Sequence, residues 1–136
     1  MFEARMQRAA DALGRRDLAA VMKPWAEDGV FELAGHSSMS GRYVGRAAIE
    51  GLFRRLFEGT TELRMTIRHV ALANPVGLTR NNTIYVESEV VETGTNGVTV
   101  RDERIAVYTW RGGRLVSVRE WAFDPTLMEP IWGAAA

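Results

Sequence analysis

No cysteine occurs among the 136 residues, so neither a disulfide framework nor a thiolate metal site holds this chain together. The same absence leaves the redox compartment open. Only two histidines are present, His36 and His69, far apart and without His-x-His or Glu-x-x-His spacing, so no metal site is expected. An excess of either charge is missing as well. Lys plus Arg and Asp plus Glu number 17 each, for a net charge of zero, and there is no basic field to gather a phosphate backbone nor an aromatic-basic stripe for base stacking. Nucleic acid is not an expected partner. Nor is a membrane, because no apolar run approaches the ~20 residues of a span. The opening Met1-Phe2-Glu3-Ala4-Arg5 carries charged groups where a secretory leader has a basic end and an apolar run, so the cytoplasm is the default location. Internal repeats and linkers are absent too. With 46% hydrophobic residues, the chain reads as one domain over 1–136, large enough to bury a core.

What is present divides into helices first and strands afterwards. Phe2, Met6, Ala9, Ala10 and Leu13 recur at helical spacing, and Gly14 ends the run. Asp17 can cap a second helix over Leu18–Lys23, which Pro24 interrupts or kinks before Trp25-Ala26-Glu27-Asp28-Gly29. Val30–Leu33 is then a short strand, and the Ser/Gly-rich stretch from Gly35 to Gly41 reads as a mobile loop able to act as a lid. Val44, Ala48, Ile49, Leu52, Phe53 and Leu56 form one stripe of a third helix over Val44–Phe57. Glu62–Ala73 alternates Leu63, Met65, Ile67, His69 and Ala71 as a strand, and Thr83–Thr93 is another, turned by Gly94-Thr95-Asn96-Gly97 into the strand that ends at Trp110. Helices followed by an antiparallel meander make an α+β fold.

The last strands carry the chemistry. Arg104–Trp110 and Arg114–Trp121 are rich in β-branched and aromatic residues and flank Gly112-Gly113, the signature of a β-hairpin. Alternation puts Asp102, Arg104, Ala106 and Tyr108 on one face of the first arm, and Val118, Glu120 and Ala122 on one face of the second. If those faces coincide, a cation and a carboxylate sit among small apolar groups, as in a pocket. On the preceding strand Tyr85, Glu87 and Glu89 suit a solvent or dimer face, leaving Ile84, Val86, Ser88 and Val90 for the pocket side.

Three stretches in order, Trp25-Ala26-Glu27-Asp28-Gly29-Val30-Phe31, Gly41-Arg42-Tyr43-Val44-Gly45-Arg46-Ala47-Ala48-Ile49 and Gly113–Trp121, resemble the nuclear transport factor 2-like superfamily in its SnoaL-like branch. The resemblance implies a cone-shaped α+β barrel, three N-terminal helices packed on a curved, mostly antiparallel sheet around a cavity, and a homodimer across the sheet. It says little of chemistry, because the fold hosts isomerases, dehydratases, cyclases, epoxide hydrolases and binders. The two acids of ketosteroid isomerases align near Leu33 and Ala106, so that pair is absent. Of the acid–arginine–acid set of limonene-epoxide-hydrolase-like enzymes, Glu120 before Trp121 survives, while the other two positions resemble Ser88 and Val90.

The candidate catalytic residues are therefore Glu120 as acid or base, Arg104 to stabilise an enolate or carboxylate, and Asp102 to orient Arg104. The plainer reading is an Arg–Glu pair that only fixes the strands. Trp25, Leu33, His36, Phe53, His69, Val86, Ser88, Val90, Ala106, Val118 and Ala122 are expected to line the pocket, whose apolar make-up suits a small hydrophobic ligand. No cofactor is expected. Two functions stay open: a cofactor-independent isomerase, cyclase, dehydratase or hydrolase acting by general acid/base chemistry, and a non-catalytic binding or dimerisation module with the same cavity.

Overall fold

The computed structural model describes residues 2–76 and 80–136, apart from the side chain of Phe2. Its elements are α1 (Phe2–Gly14), α2 (Leu18–Met22), β1 (Trp25–Leu33), β2 (Gly41–Val44), α3 (Arg46–Gly59), β3 (Thr60–Leu72), β4 (Asn82–Gly94), β5 (Thr99–Arg111), β6 (Arg114–Ala122) and α4 (Glu129–Trp132). The strands form one six-stranded sheet in the order β2-β1-β6-β5-β4-β3, antiparallel except where β1 lies parallel to β6. This is the α+β arrangement of helices on a mostly antiparallel sheet.

Local chemistry accounts for most boundaries. Asp17 caps α2 by accepting a hydrogen bond from the Ala20 N–H at 3.1 Å. Pro24 ends that helix rather than kinking it, and β1 begins at Trp25, five residues before the expected strand. Val44 does not open α3. It ends the short strand β2, pairs with Val30 and is 58% exposed. On the far edge, Gln7 of α1 donates to the Met65 carbonyl at 2.9 Å and accepts from the Ile67 N–H at 2.8 Å, so a helix side chain occupies backbone groups of edge strand β3. Between the α2–α3 layer and the β1–β6 half of the sheet, Met22, Trp25, Phe31, Ile49, Leu52, Phe53, Leu115 and Val118 form a buried cluster. Phe31 meets Phe53 edge-on at 6.0 Å.

Two bulges decide which side chains face this layer. In the β5–β6 hairpin, Gly112 (φ 57°) and Gly113 (φ 76°) make a two-residue turn with both residues in the left-handed region. From Arg111↔Arg114 the register runs to Trp110↔Leu115, then slips by one residue at Val116, so that Tyr108 pairs with Val118 and Ala106 with Glu120. Without that extra residue Glu120 would oppose Ile105 on the outer face. In β3 the slip falls between Ile67↔Ser88 and His69↔Glu87. It turns the strand over and sends His69 outward.

Candidate functional site

The concave face of β4, β5 and β6 ends in a cluster of four charged side chains. Arg104, on β5, is 8% exposed and each of its nitrogens meets a carboxylate: Nε donates to Asp102 Oδ2 at 3.0 Å, Nη1 to Glu120 Oε2 at 3.2 Å and Nη2 to Glu92 Oε1 at 3.3 Å. The C-terminal segment closes the cluster. Nη2 also lies 3.1 Å from Met128 Sδ, and the Trp132 indole N–H donates to Glu92 Oε2 at 3.2 Å. Trp132 reaches that position by packing its ring against Gly59, where a Cβ would collide with it.

Three carboxylates face one guanidinium, so full ionisation leaves two uncompensated negative charges in a buried site. The titration of the cluster follows. Burial raises Glu92 above its ordinary value against the opposing pull of Arg104, and burial raises Asp102 in the same way. For Arg104 burial works against the charge, but Glu120, Glu92 and Asp102 together outweigh it and hold the guanidinium above its usual range. Tyr108 is pushed up by burial and by the Glu120 charge.

These shifts fix the sign of a pH dependence. The unfolded chain releases the Glu92 and Asp102 protons near 4.5 and 3.8, whereas the folded protein holds them to higher pH. Their contribution to stability is full below those values and is lost as pH rises through the folded values. The melting temperature of the native protein is therefore expected to fall relative to that of Glu92→Gln as pH is raised from about 5 to about 8. Parallel melting curves for the two proteins over that range would contradict the assignment.

A cavity of about 390 Å³ runs from this cluster between the helices and the sheet. Trp25, Leu33, Phe53, Val90, Val118 and Ala122 line it, together with Arg104 and Glu120. Phe31, Met39, Tyr108, Trp110 and Leu115 join them. The Trp110 indole nitrogen is buried without a partner among the described residues, as is Asp102 Oδ1.

Several expectations need correction. Val86, Ser88 and Ala106 share the concave face and are 2%, 3% and 3% exposed, but they are not among the residues that line the cavity. His69 points away from the cavity because of the β3 bulge, and its Nδ1 lies 3.1 Å from Glu87 Oε2 on the outer surface. His36 is exposed and contributes backbone groups only, its carbonyl accepting from the Ala135 N–H at 2.7 Å. The loop around it is anchored, not free. Ser38 binds the Gly133 and Trp132 carbonyls at 2.9 and 2.6 Å, and Met39 is buried. The C-terminal residues that supply these partners have no periodicity that would have revealed them. Arg104 cannot offer a free fork to an enolate, because each nitrogen already serves a carboxylate. Asp102 sits off the cavity lining and accepts from the Arg104 Nε.

Glu92 is the site residue that sequence reasoning missed. It follows Ile84, Val86, Ser88 and Val90 in the same alternation and is 2% exposed, so one further step along the strand points to it. Among the described residues no group of three or more His, Cys, Asp or Glu could hold a metal ion, and no helix is long and apolar enough to cross a membrane.

Residues 6–118 match the sequence model of the SnoaL-like domain. Bal32a, from a soil-derived mobile gene cassette, has a similar structure, with a TM-score of 0.81 and 19% identity over 96% of this chain and 95% of its own. An NTF2-like protein of unknown function from Burkholderia pseudomallei is 20% identical with a TM-score of 0.78, covering 97% of this chain and 98% of its own. A protein from Shewanella denitrificans assigned as a SnoaL-like polyketide cyclase is 16% identical with a TM-score of 0.72, over 96% of each chain. Among curated proteins none matches this sequence.

Proposed function

The chain belongs to the SnoaL-like domain family, and within it we propose a cofactor-independent enzyme acting by general acid/base chemistry on a small hydrophobic metabolite. The observation that carries this reading is the junction of an apolar cavity of about 390 Å³ with Glu92 and Glu120, two acids buried around a single guanidinium. Burial holds Glu92 above the ordinary carboxylate value against the pull of the shared guanidinium, and the cavity brings substrate to the two acids. Glu120 exchanges the proton with substrate, Arg104 and Asp102 hold its carboxylate in place, and Tyr108 stands on the same wall. The test is turnover and melting temperature of Glu120→Gln on a substrate found by screening. A stable and fully active variant overturns the reading. One observation favours binding without chemistry, namely that every nitrogen of Arg104 already donates to an acid, so no free fork is left for substrate.

We also propose a homodimer through the outer sheet face. There Tyr85, Val107 and Arg119 form one cross-strand row and Glu87, Ile105 and Trp121 the next, with Tyr85 and Ile105 44% and 46% exposed. Arg119 stacks on Trp121 with its guanidinium 4.9 Å from the ring centre. Light scattering at micromolar concentration is expected to give twice the monomer mass; monomer alone would refute the assembly.

A further inference from the structure

We propose that the molecule taken up by the cavity is a hydrophobic amine, bound as its ammonium ion with an N–H donated to Glu120 Oε1. This rests on the reading of the cavity as a small-molecule site and deepens it to a ligand class. Three observations converge on a cation. Glu120 is 6% exposed and lines the cavity, yet only its Oε2 is engaged, by Arg104; Oε1 accepts no hydrogen bond from the described residues. That oxygen is not sealed off as Asp102 Oδ1 is, so it is open to a partner in the cavity, and an ammonium there supplies both a donor and a charge. Second, the site is short of positive charge. Arg104 is shared among three carboxylates, and the other cation along the lining, Arg5, lies on the exposed surface of α1. An ammonium removes part of the excess, whereas an anion adds to it and finds no free guanidinium nitrogen. Third, the walls are aromatic. Trp25, Phe31, Phe53, Tyr108 and Trp110 all border the space, and ring faces attract a desolvated cation while the same surfaces bury the hydrocarbon body of the ligand.

Charge and apolar contact therefore select together. A hydrophobic carboxylate of the same shape meets the negative end of the cavity, and a hydrophobic alcohol satisfies Oε1 without neutralising it. The cavity volume of about 390 Å³ suits a bicyclic or aryl-alkyl amine.

The test is a calorimetric comparison of 2-naphthylmethylamine, 2-naphthylmethanol and 2-naphthoate, which share one ring system and differ in charge. At neutral pH the amine is expected to bind at least about tenfold more tightly than the alcohol, and the carboxylate not at all. In Glu120→Gln the preference of amine over alcohol should disappear while the alcohol still binds, which shows that the variant keeps its cavity. Equal binding of amine and alcohol to the native protein, or tighter binding of the carboxylate, overturns the amine assignment and leaves the small-molecule cavity standing. Failure of all three to bind overturns both.

Discussion

Arg104→Ala is expected to lose about 3–5 kcal/mol of folding stability at neutral pH, the cost of removing one partner from a buried ion pair. The size follows from what remains. Glu92, Asp102 and Glu120 are 2%, 2% and 6% exposed, and the alanine leaves them with no cation and with one another as neighbours. A domain of this length has only about 5–15 kcal/mol in total, so the variant should melt lower by about 10 °C or more. Part of the loss should return at acid pH, where protonation removes the repulsion that the guanidinium offset. Arg104→Lys keeps the charge but not the planar fork that serves three carboxylates from three nitrogens, and it should recover only part of the stability. Urea unfolding at two pH values measures both effects. A loss under about 1 kcal/mol at neutral pH would mean that the three acids are already neutral in the folded protein and that the cluster is a hydrogen-bonded network without ionic character.

The route from sequence to this cluster was open in some places and closed in others. Glycine pairs, the Asp17 cap and the apolar stripe of α3 are local signals, and they mark the hairpin and the helices because each acts through its immediate neighbours on the chain. Facing is different. Strand alternation predicts a face only while the register is unbroken, and one bulged residue inverts everything beyond it. The inversion at Val116 brings Glu120 to the side of Arg104, and the one in β3 takes His69 away from the cavity. Nothing in the composition of Leu115-Val116-Ser117 or Ile67-Arg68-His69 announces a bulge, because what selects it is the packing of the whole sheet.

Glu92 was hidden for another reason. An acid on a strand is ordinarily read as a solvent-facing residue, as Glu87 and Glu89 on the same strand are. Its burial depends on Arg104 from β5 and on Trp132 from a segment forty residues later, contacts that no local pattern encodes. The same holds for the Gly35–Gly41 loop. Its serines look free until residues 132–135 lie beside them. Non-local partners thus account for the buried acid and for the anchored loop alike.

Glu120→Gln should lower turnover by about 100-fold or more while leaving the fold as stable as before or more so. The two halves of this expectation have separate grounds. Glutamine keeps an oxygen for the Arg104 Nη1 donor at the site of the present 3.2 Å bond, but it has no proton to exchange at the pH of the reaction. For stability, the usual rule that breaking a buried pair strands a charge does not apply to this residue. Arg104 retains Asp102 and Glu92, and the substitution removes one of the two negative charges that lack compensation. A melting temperature equal to or above that of the native protein, with turnover lost, is the signature of a group kept for chemistry. Glu92→Gln offers the contrast. It also borders the cavity, but both of its oxygens are occupied, by Arg104 and by the Trp132 indole, so it has no free oxygen to present to substrate. Its turnover should fall by less than that of Glu120→Gln. If the two variants lose activity equally, the proton belongs to the cluster as a coupled unit rather than to Glu120; if neither loses any, acid/base catalysis at this site is excluded.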